Sequence, residues 1–308
     1  MSDLAFGEPL DLLKNSKYHY WAASVYSVFI FGALLQCVRY FPALEPFFLR
    51  RFVPKDVAEN RQVSYVMSHA RGDRRLANKE PRVDIWGLVM EREGETGLSR
   101  EEMYSNAHLF MIAGTETTAT LLSGLLYHLL DRPETLQRLS SEIRSAFADE
   151  GDITIEKLPA LKYLQACLDE GLRMYPPVPA AMPRVTVEPT VIDGNVVPPG
   201  FSVGATTLCA FRNPDNFHLP NEFHPERFLN ESILFSDDRK SAFQPFLTGP
   251  RGCLGKNMAY HEMRLVVAKL LFNFDLTMCE ESRNWLSQKI FLTWQRAPLH
   301  SQAKPVEH

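Results

Sequence analysis

The sequence predicts a mainly α-helical fold with a small β region, and three observations carry that expectation. Apolar residues recur at helical spacing between residues 100 and 175 and again from 254 to 274. Residues 184–208 switch to a valine-rich alternating pattern, broken by the turn signals Asp193-Gly194 and Pro198-Pro199-Gly200. Prolines mark where the long helical stretches stop, at Asp131-Arg132-Pro133 and at Pro176-Pro177.

In chain order, residues 1–60 read as helical and aromatic-rich, with breaks at Pro42, Pro46 and Pro54. Tyr20–Val38 carries no charge and is just long enough to cross a bilayer, but Ser24, Ser27 and Gln36 favour a buried or membrane-facing segment. Residues 68–82 are basic and polar and read as a surface helix or loop. Ser99 followed by Glu101 and Glu102 starts a long helix, Arg100 to Leu130. Further helices are expected from Pro133 to Phe147, from Ile155 to Tyr175 and from Leu254 to Phe274. Between them lie the small antiparallel sheet and a proline- and asparagine-rich meander over 211–250. A short strand pair is expected near Phe291–Trp294. With no repeat, low-complexity tract or clear linker, this reads as one mixed domain.

Composition narrows the function. The 308 residues are 45% hydrophobic and 23% charged, with net charge −4, which is ordinary globular composition. No basic stripe with interleaved aromatics points to nucleic acid. The five cysteines are odd in number and scattered, against a disulfide framework or structural zinc site. The nine histidines form no ligand pair, and a reducing compartment or cytosol-facing surface fits best. The opening MSDLAFGEPLDLLKN shows no secretory signal.

The most informative run is PFLTGPRGCLG, Pro245 to Gly255. Glycines permit a tight loop, Arg251 places a permanent cation near the sulfur, and the helical pattern that follows puts Cys253 near a helix N-terminus. A thiolate is stabilised there, and haem iron accepts a lone thiolate. Cys37, Cys167, Cys209 and Cys279 read instead as small apolar side chains. Glu170 and Arg173 share a helix face at i,i+3, a face otherwise apolar, so the pair needs further partners. Ala113-Gly114-Thr115-Glu116-Thr117-Thr118 leaves two readings open. One is a packing notch with a polar face. The other is a place where something large and flat meets the backbone, with acid and hydroxyl groups that carry protons or with Thr117 bonded back to a helix carbonyl to bend it.

The spacing Phe246-x-x-Gly249-x-Arg251-x-Cys253-x-Gly255 resembles the haem-binding loop of the cytochrome P-450 family. AGTETT, EGLR and PERF precede it in that family's order, so the resemblance covers nearly the whole chain. It implies haem b with Cys253 as axial ligand to the iron, and a loop shaped by Phe246, Gly249 and Gly255. It also implies haem propionates bound by Arg184 and Arg251, although Arg184 reads equally well as a strand-edge cation. Glu116 and Thr117 become the catalytic proton relay to iron-bound dioxygen, with Ala113 and Gly114 lining the distal face. Glu170, Arg173 and Arg227 become a structural triad, and Leu109–Ile112, Val178–Met182 and Ile290–Leu292 would face the substrate.

The implied activity is a monooxygenase that inserts one oxygen atom of O2 into a small lipophilic or aromatic substrate, in the manner of fungal members. Electrons come from NADPH through a reductase, at an endoplasmic-reticulum membrane facing the cytosol. An O2-independent haem-thiolate isomerase or dehydratase is the alternative chemistry, and Glu116-Thr117 argues against it. Family members are considerably longer at the N-terminus. Residues 1–308 are therefore expected to be a single incomplete domain, without the usual anchor, most of the large sheet and part of the pocket wall. Such a fragment would be haem-poor, inactive and prone to aggregate.

Overall fold

A computed structural model of the chain describes residues 20–52, 55–78, 84–90, 97–229 and 231–307. It falls into two compact units, one running to Thr117 and one beginning at Thr118. The first contains α1 (Tyr20–Val38), a helical turn at Pro42–Leu44, α2 (Glu45–Phe52), α3 (Lys55–Ala77), α4 (Ile85–Met90) and the N-terminal part of α5 (Arg100–Asp131). Pro46 falls in the first turn of α2, where its missing N–H breaks no helical bond. Pro54 lies outside the described residues.

α1 packs along α3. The core of this unit gathers Trp86, Met103, Ala107, Met111 and Ile112, with Val28 and Phe29 of α1 and Met67 and Leu76 of α3 against it. The basic stretch from residue 68 is not wholly a surface segment: through Ala77 it continues α3, and Ser68 and Arg75 are buried. Arg75 turns inward because Asp84 meets it there, Nε donating to the carboxylate at 2.7 Å. The other Asp84 oxygen accepts the Gly87 N–H at 2.6 Å and so caps α4. Residues 79–82 of that stretch lie outside the described residues.

α5 opens with a reciprocal cap. The Glu102 N–H donates to Ser99 Oγ at 3.3 Å, and the Glu102 carboxylate accepts the Ser99 N–H at 2.8 Å. By length and composition α5 could cross a membrane, and a shorter apolar stretch covers Ser27–Val38.

In the second unit the rest of α5 joins α6 (Pro133–Ala146), α7 (Lys162–Met174) and α9 (Lys256–Asn273) around Leu121, Leu125, Leu139, Leu164, Leu168 and Leu271. Each fully buried leucine contributes about 2 kcal/mol by leaving water. Two glycines set the close approaches. A Cβ on Gly171 would lie 3.1 Å from Leu125, and one on Gly124 only 2.2 Å from the Tyr175 ring.

α7 begins later than Ile155. Pro159 sits in a separate helical turn, Leu158–Ala160, and Leu161 is extended. The free N–H groups of Tyr163 and Leu164 then donate to the Glu142 carboxylate of α6 at 2.9 and 2.8 Å, so the helix is capped from a distant segment. α9 likewise begins at Lys256 rather than Leu254, with Gly255 as its cap residue.

The valine-rich region forms two separate antiparallel pairs. β1 (Arg184–Val185) pairs with β4 (Ser202–Val203), and between them β2 (Thr190–Ile192) pairs with β3 (Asn195–Val197). Asp193 and Gly194 take φ of 49° and 74° at the tight turn between β2 and β3. A short helix, α8 (Thr207–Phe211), follows. The pair expected near Phe291–Trp294 is a single bridge, Ile290 to Trp294. The fuller pairing joins β5 (Phe274–Met278) to β6 (Ser301–Pro305). All five residues of β6 are exposed, so it carries no apolar alternation to read.

A second cluster stacks Tyr175 on Trp294 at 4.3 Å and packs Tyr127 and Trp285 beside them. Its polar edges are satisfied: Trp294 Nε1 donates to the Pro176 carbonyl at 2.8 Å and Trp285 Nε1 to the Ala297 carbonyl at 2.7 Å.

Two outcomes follow. Gly124→Ala drives a methyl into the base of the Tyr175 ring, and should cost about 2 kcal/mol or more in denaturant unfolding. The second concerns His128, 4% exposed and stacked on Phe223 at 5.1 Å. Burial, and then Arg212, Arg132 and Arg173, push its pKa down to about 3. Below about pH 6.5 the unfolded imidazole takes a proton that the folded one refuses until about pH 3. Stability therefore falls as pH falls through that window, by at most about 1.4 kcal/mol per unit from this group. His128→Leu should flatten the dependence of the urea midpoint on pH between about pH 6.5 and 4; an unchanged slope would remove His128 as its source.

Candidate functional site

The run that carries Cys253 folds as a tight loop ahead of α9. Gly249 adopts φ 71° and opens a helical turn, Gly249–Arg251, closed by the Gly252 N–H donating to the Gly249 carbonyl at 2.9 Å. A Cβ on Gly252 would sit 3.2 Å from that same carbonyl, so a larger residue there would make the turn give by a few tenths of an ångström. The Cys253 N–H donates to the Phe246 carbonyl at 2.8 Å, which fixes the cysteine backbone across the loop. The Cys253 thiol is exposed, as is Arg251, and a Cβ on Gly255 would lie 4.0 Å from the sulfur. Phe246 packs on Tyr260 of α9 at 5.2 Å.

α9 is held in turn to α7. Tyr260 donates to Asp169 at 2.7 Å, and Arg264 Nε donates to Gln165 Oε1 at 2.9 Å. Burial pushes the Asp169 carboxyl above its ordinary value, opposed by the hydrogen bonds from Gln165 and Tyr260. The loop thus rests on a helix that is itself bolted to α7 through polar groups.

Elsewhere in the second unit Glu170, Arg173 and Arg227 meet, all with fully buried side chains. Arg173 grips Glu170 with two donors, each 2.7 Å from a carboxylate oxygen. Its remaining donor capacity goes to the carbonyls of Phe211, Pro220 and Glu222 at 2.9, 2.7 and 2.8 Å. Arg227 reaches Glu170 at 3.1 Å and the His218 carbonyl at 3.1 Å, and also pairs with Asp238. His224 is the third residue to donate to Glu170, through its N–H at 2.8 Å. A buried carboxylate between two guanidiniums is tolerable only when its lone pairs are filled in this way.

Arg184, exposed on β1, lines a groove of about 580 Å³ with Met182, Ile192, Val203, Leu247 and Thr248. This places the strand-edge cation and two residues of the thiol loop on one apolar hollow. An exposed lone thiol, an adjoining apolar groove and an arginine on its wall suit a flat apolar group with anionic substituents, and haem is such a group.

Ala113, Gly114, Glu116 and Thr117 lie on α5 in the other unit. Ala113 is exposed, Gly114 half-buried and Glu116 5% exposed. The hydroxyls of Thr115 and Thr117 donate to the Met111 and Ala113 carbonyls, each at 2.6 Å, the back-bonded arrangement that bends helices. Of the residues expected to face substrate, Met111 is fully buried in the first core and Leu109 is exposed.

Sequence reading missed Asp238 and Phe243. Asp238 is the second acid of the pair Asp237-Asp238, and which of the two turns inward has no signature in the sequence. Phe243 wedges between Phe211 at 5.3 Å and Phe228 at 4.9 Å. An aromatic in a meander of prolines and asparagines was the one available hint.

Residues 1–300 match the family model described as Cytochrome P450. Among the relatives, the chain is 43% identical to "Cytochrome P450 monooxygenase efuB" of Hormonema carpetanum, covering 97% of this chain and 60% of that one. It is 44% identical to "Cytochrome P450 monooxygenase FUM2" of Gibberella moniliformis, covering 97% and 64%. It is 39% identical to "Trichothecene C-4 hydroxylase" of Trichoderma arundinaceum, covering 97% and 61%. The chain spans about three-fifths of the length of these curated relatives. A family match over nearly the whole chain agrees with the thiol loop, and the chain belongs to the cytochrome P450 family.

Proposed function

We propose that this chain is the haem-thiolate portion of a monooxygenase that inserts one oxygen atom of O2 into a small lipophilic or aromatic substrate. The observation that supports this most directly is the exposed Cys253 thiol on a loop pinned by its own backbone, beside a groove that Arg184, Leu247 and Thr248 line. Cys253 would ligate the iron through Sγ. Arg184 and Arg251 would bind the propionates, while Phe246, Gly249 and Gly255 shape the loop. Haem iron with a thiolate ligand, when bound, supplies the dioxygen chemistry.

The chain's own contribution on α5 is to hold protons and exclude bulk. Ala113 and Gly114 present little side chain, which leaves room for a flat face against the helix. Thr117 spends its hydroxyl proton on the Ala113 carbonyl, so Oγ1 is left as an acceptor that can hold a water or an oxygen-bound proton in place. Glu116, buried next to it in sequence, is the second member of the proposed proton relay. Two relatives named as monooxygenases and one named as a C-4 hydroxylase support oxygen insertion. We assign the electrons to NADPH through a reductase, the setting to a cytosol-facing endoplasmic-reticulum membrane, and residues 1–308 to one haem domain.

The chain reduced in the presence of haem and carbon monoxide should show a thiolate-type Soret band. Cys253→Ser should abolish it, and an unchanged spectrum would overturn the ligand assignment. With haem and reductase supplied, Thr117→Ala should lower product formed per O2 consumed by roughly tenfold. Unaltered coupling would take Thr117 out of the proton path.

A further inference from the structure

Four charged side chains, not three, occupy the buried cluster around Glu170. Glu170 and Asp238 carry one negative charge each, and Arg173 and Arg227 one positive charge each, so the cluster sums to zero with every side chain at 0% exposure. Without Asp238 the remaining three would leave one positive charge buried. A guanidinium does not shed its proton, so that charge has no way to neutralise itself.

Asp238 also ties two stretches of chain together. One oxygen takes Arg227 Nη1 and the other accepts the His218 N–H at 2.7 Å. Directly after it, the Arg239 N–H donates to the Asn216 carbonyl at 2.7 Å. From there the chain runs through short helical turns at Lys240–Ala242 and Gly249–Arg251, with Ser241, Gln244 and Thr248 exposed. Its inward anchors are Phe243 between Phe211 and Phe228, Phe246 on Tyr260, and the Cys253 N–H on the Phe246 carbonyl. A segment with so little regular structure takes its register from its fixed ends. α9 fixes the far end, and Asp238 fixes the near one.

We propose that Asp238 is a positioning residue for Cys253, acting through Arg227 and the register of residues 239–253. Its neighbour Asp237 has the same charge and an exposed side chain, so Asp237→Asn serves as the matched control. The link to haem rests on the function proposed above; the register of the segment does not.

The experiment compares amide hydrogen exchange in the wild type, D238N, D237N, D238E and L139A, the last removing a fully buried leucine of the second core. D238N should speed exchange across 239–253, including the Cys253 amide, by about tenfold or more relative to α6, with D238E restoring part of the protection. D237N should match the wild type, and L139A should raise exchange in α6 and α7 as much as in the segment. Should D238N unfold, D238E carries the test, with exchange in 239–253 raised above that in α6. Exchange in either variant that rises evenly over the unit, as in L139A, or not at all, would overturn the proposal. A parallel haem titration reads the thiolate-type band, which should weaken in D238N and return in part in D238E. A wild type that takes up no haem would defeat the proposed function, while the exchange pattern still decides the role of Asp238.

Discussion

The carboxylate of Glu170 is the constraint on which the second unit depends. It stands at 0% exposure among two guanidiniums and a backbone N–H, Arg173 reaching it from its own helix and Arg227 and the His224 N–H from one turn of the meander. Removing charge from water costs several kcal/mol per ion, so such a group survives only where every lone pair is used. Arg173 spreads the same demand outward to three backbone carbonyls, of Phe211, Pro220 and Glu222. One buried acid thereby determines the path of the meander, which has little regular structure of its own.

From this anchor the thiol loop inherits its order in steps. The meander is seated by the ion cluster, Phe243 is seated between two rings, and Phe246 is seated on α9. Only the last step, the Cys253 amide on the Phe246 carbonyl, is local to the loop. The exposed Cys253 thiol thus sits on a pinned backbone, the arrangement that the proposed ligation would need. The polar contacts of Tyr260 and Arg264 serve the same end, because they fix α9 against α7 by direction as well as by apolar contact.

Small residues play a complementary part where helices come closest. Gly171 lets α7 approach Leu125, and Gly124 leaves the space that the Tyr175 ring occupies. That ring is the centre of the stacked Tyr and Trp cluster, so a residue without a side chain on α5 supports an aromatic assembly built largely from segments far along the sequence. Packing and polar satisfaction act together here, since Tyr175 also donates to Gln288 at 2.7 Å.

The amino-acid sequence by itself determined what depends on neighbours along the chain. The long helices and their proline stops, the Ser99–Glu102 cap and the Asp193-Gly194 turn follow from contacts within a few residues. So does the glycine-shaped loop around Cys253, and the motifs in family order made the family legible. Only the tertiary structure decided that Asp238 rather than Asp237 enters the ion cluster, that Glu142 caps α7, and that exposed β6 pairs with β5. It also showed Thr117 back-bonded to its own helix. The physical reason is the same throughout. Periodicity and turn chemistry are local, whereas the partner of a buried charge, a free helix end or a strand edge is chosen by which distant segment folding brings within hydrogen-bond reach.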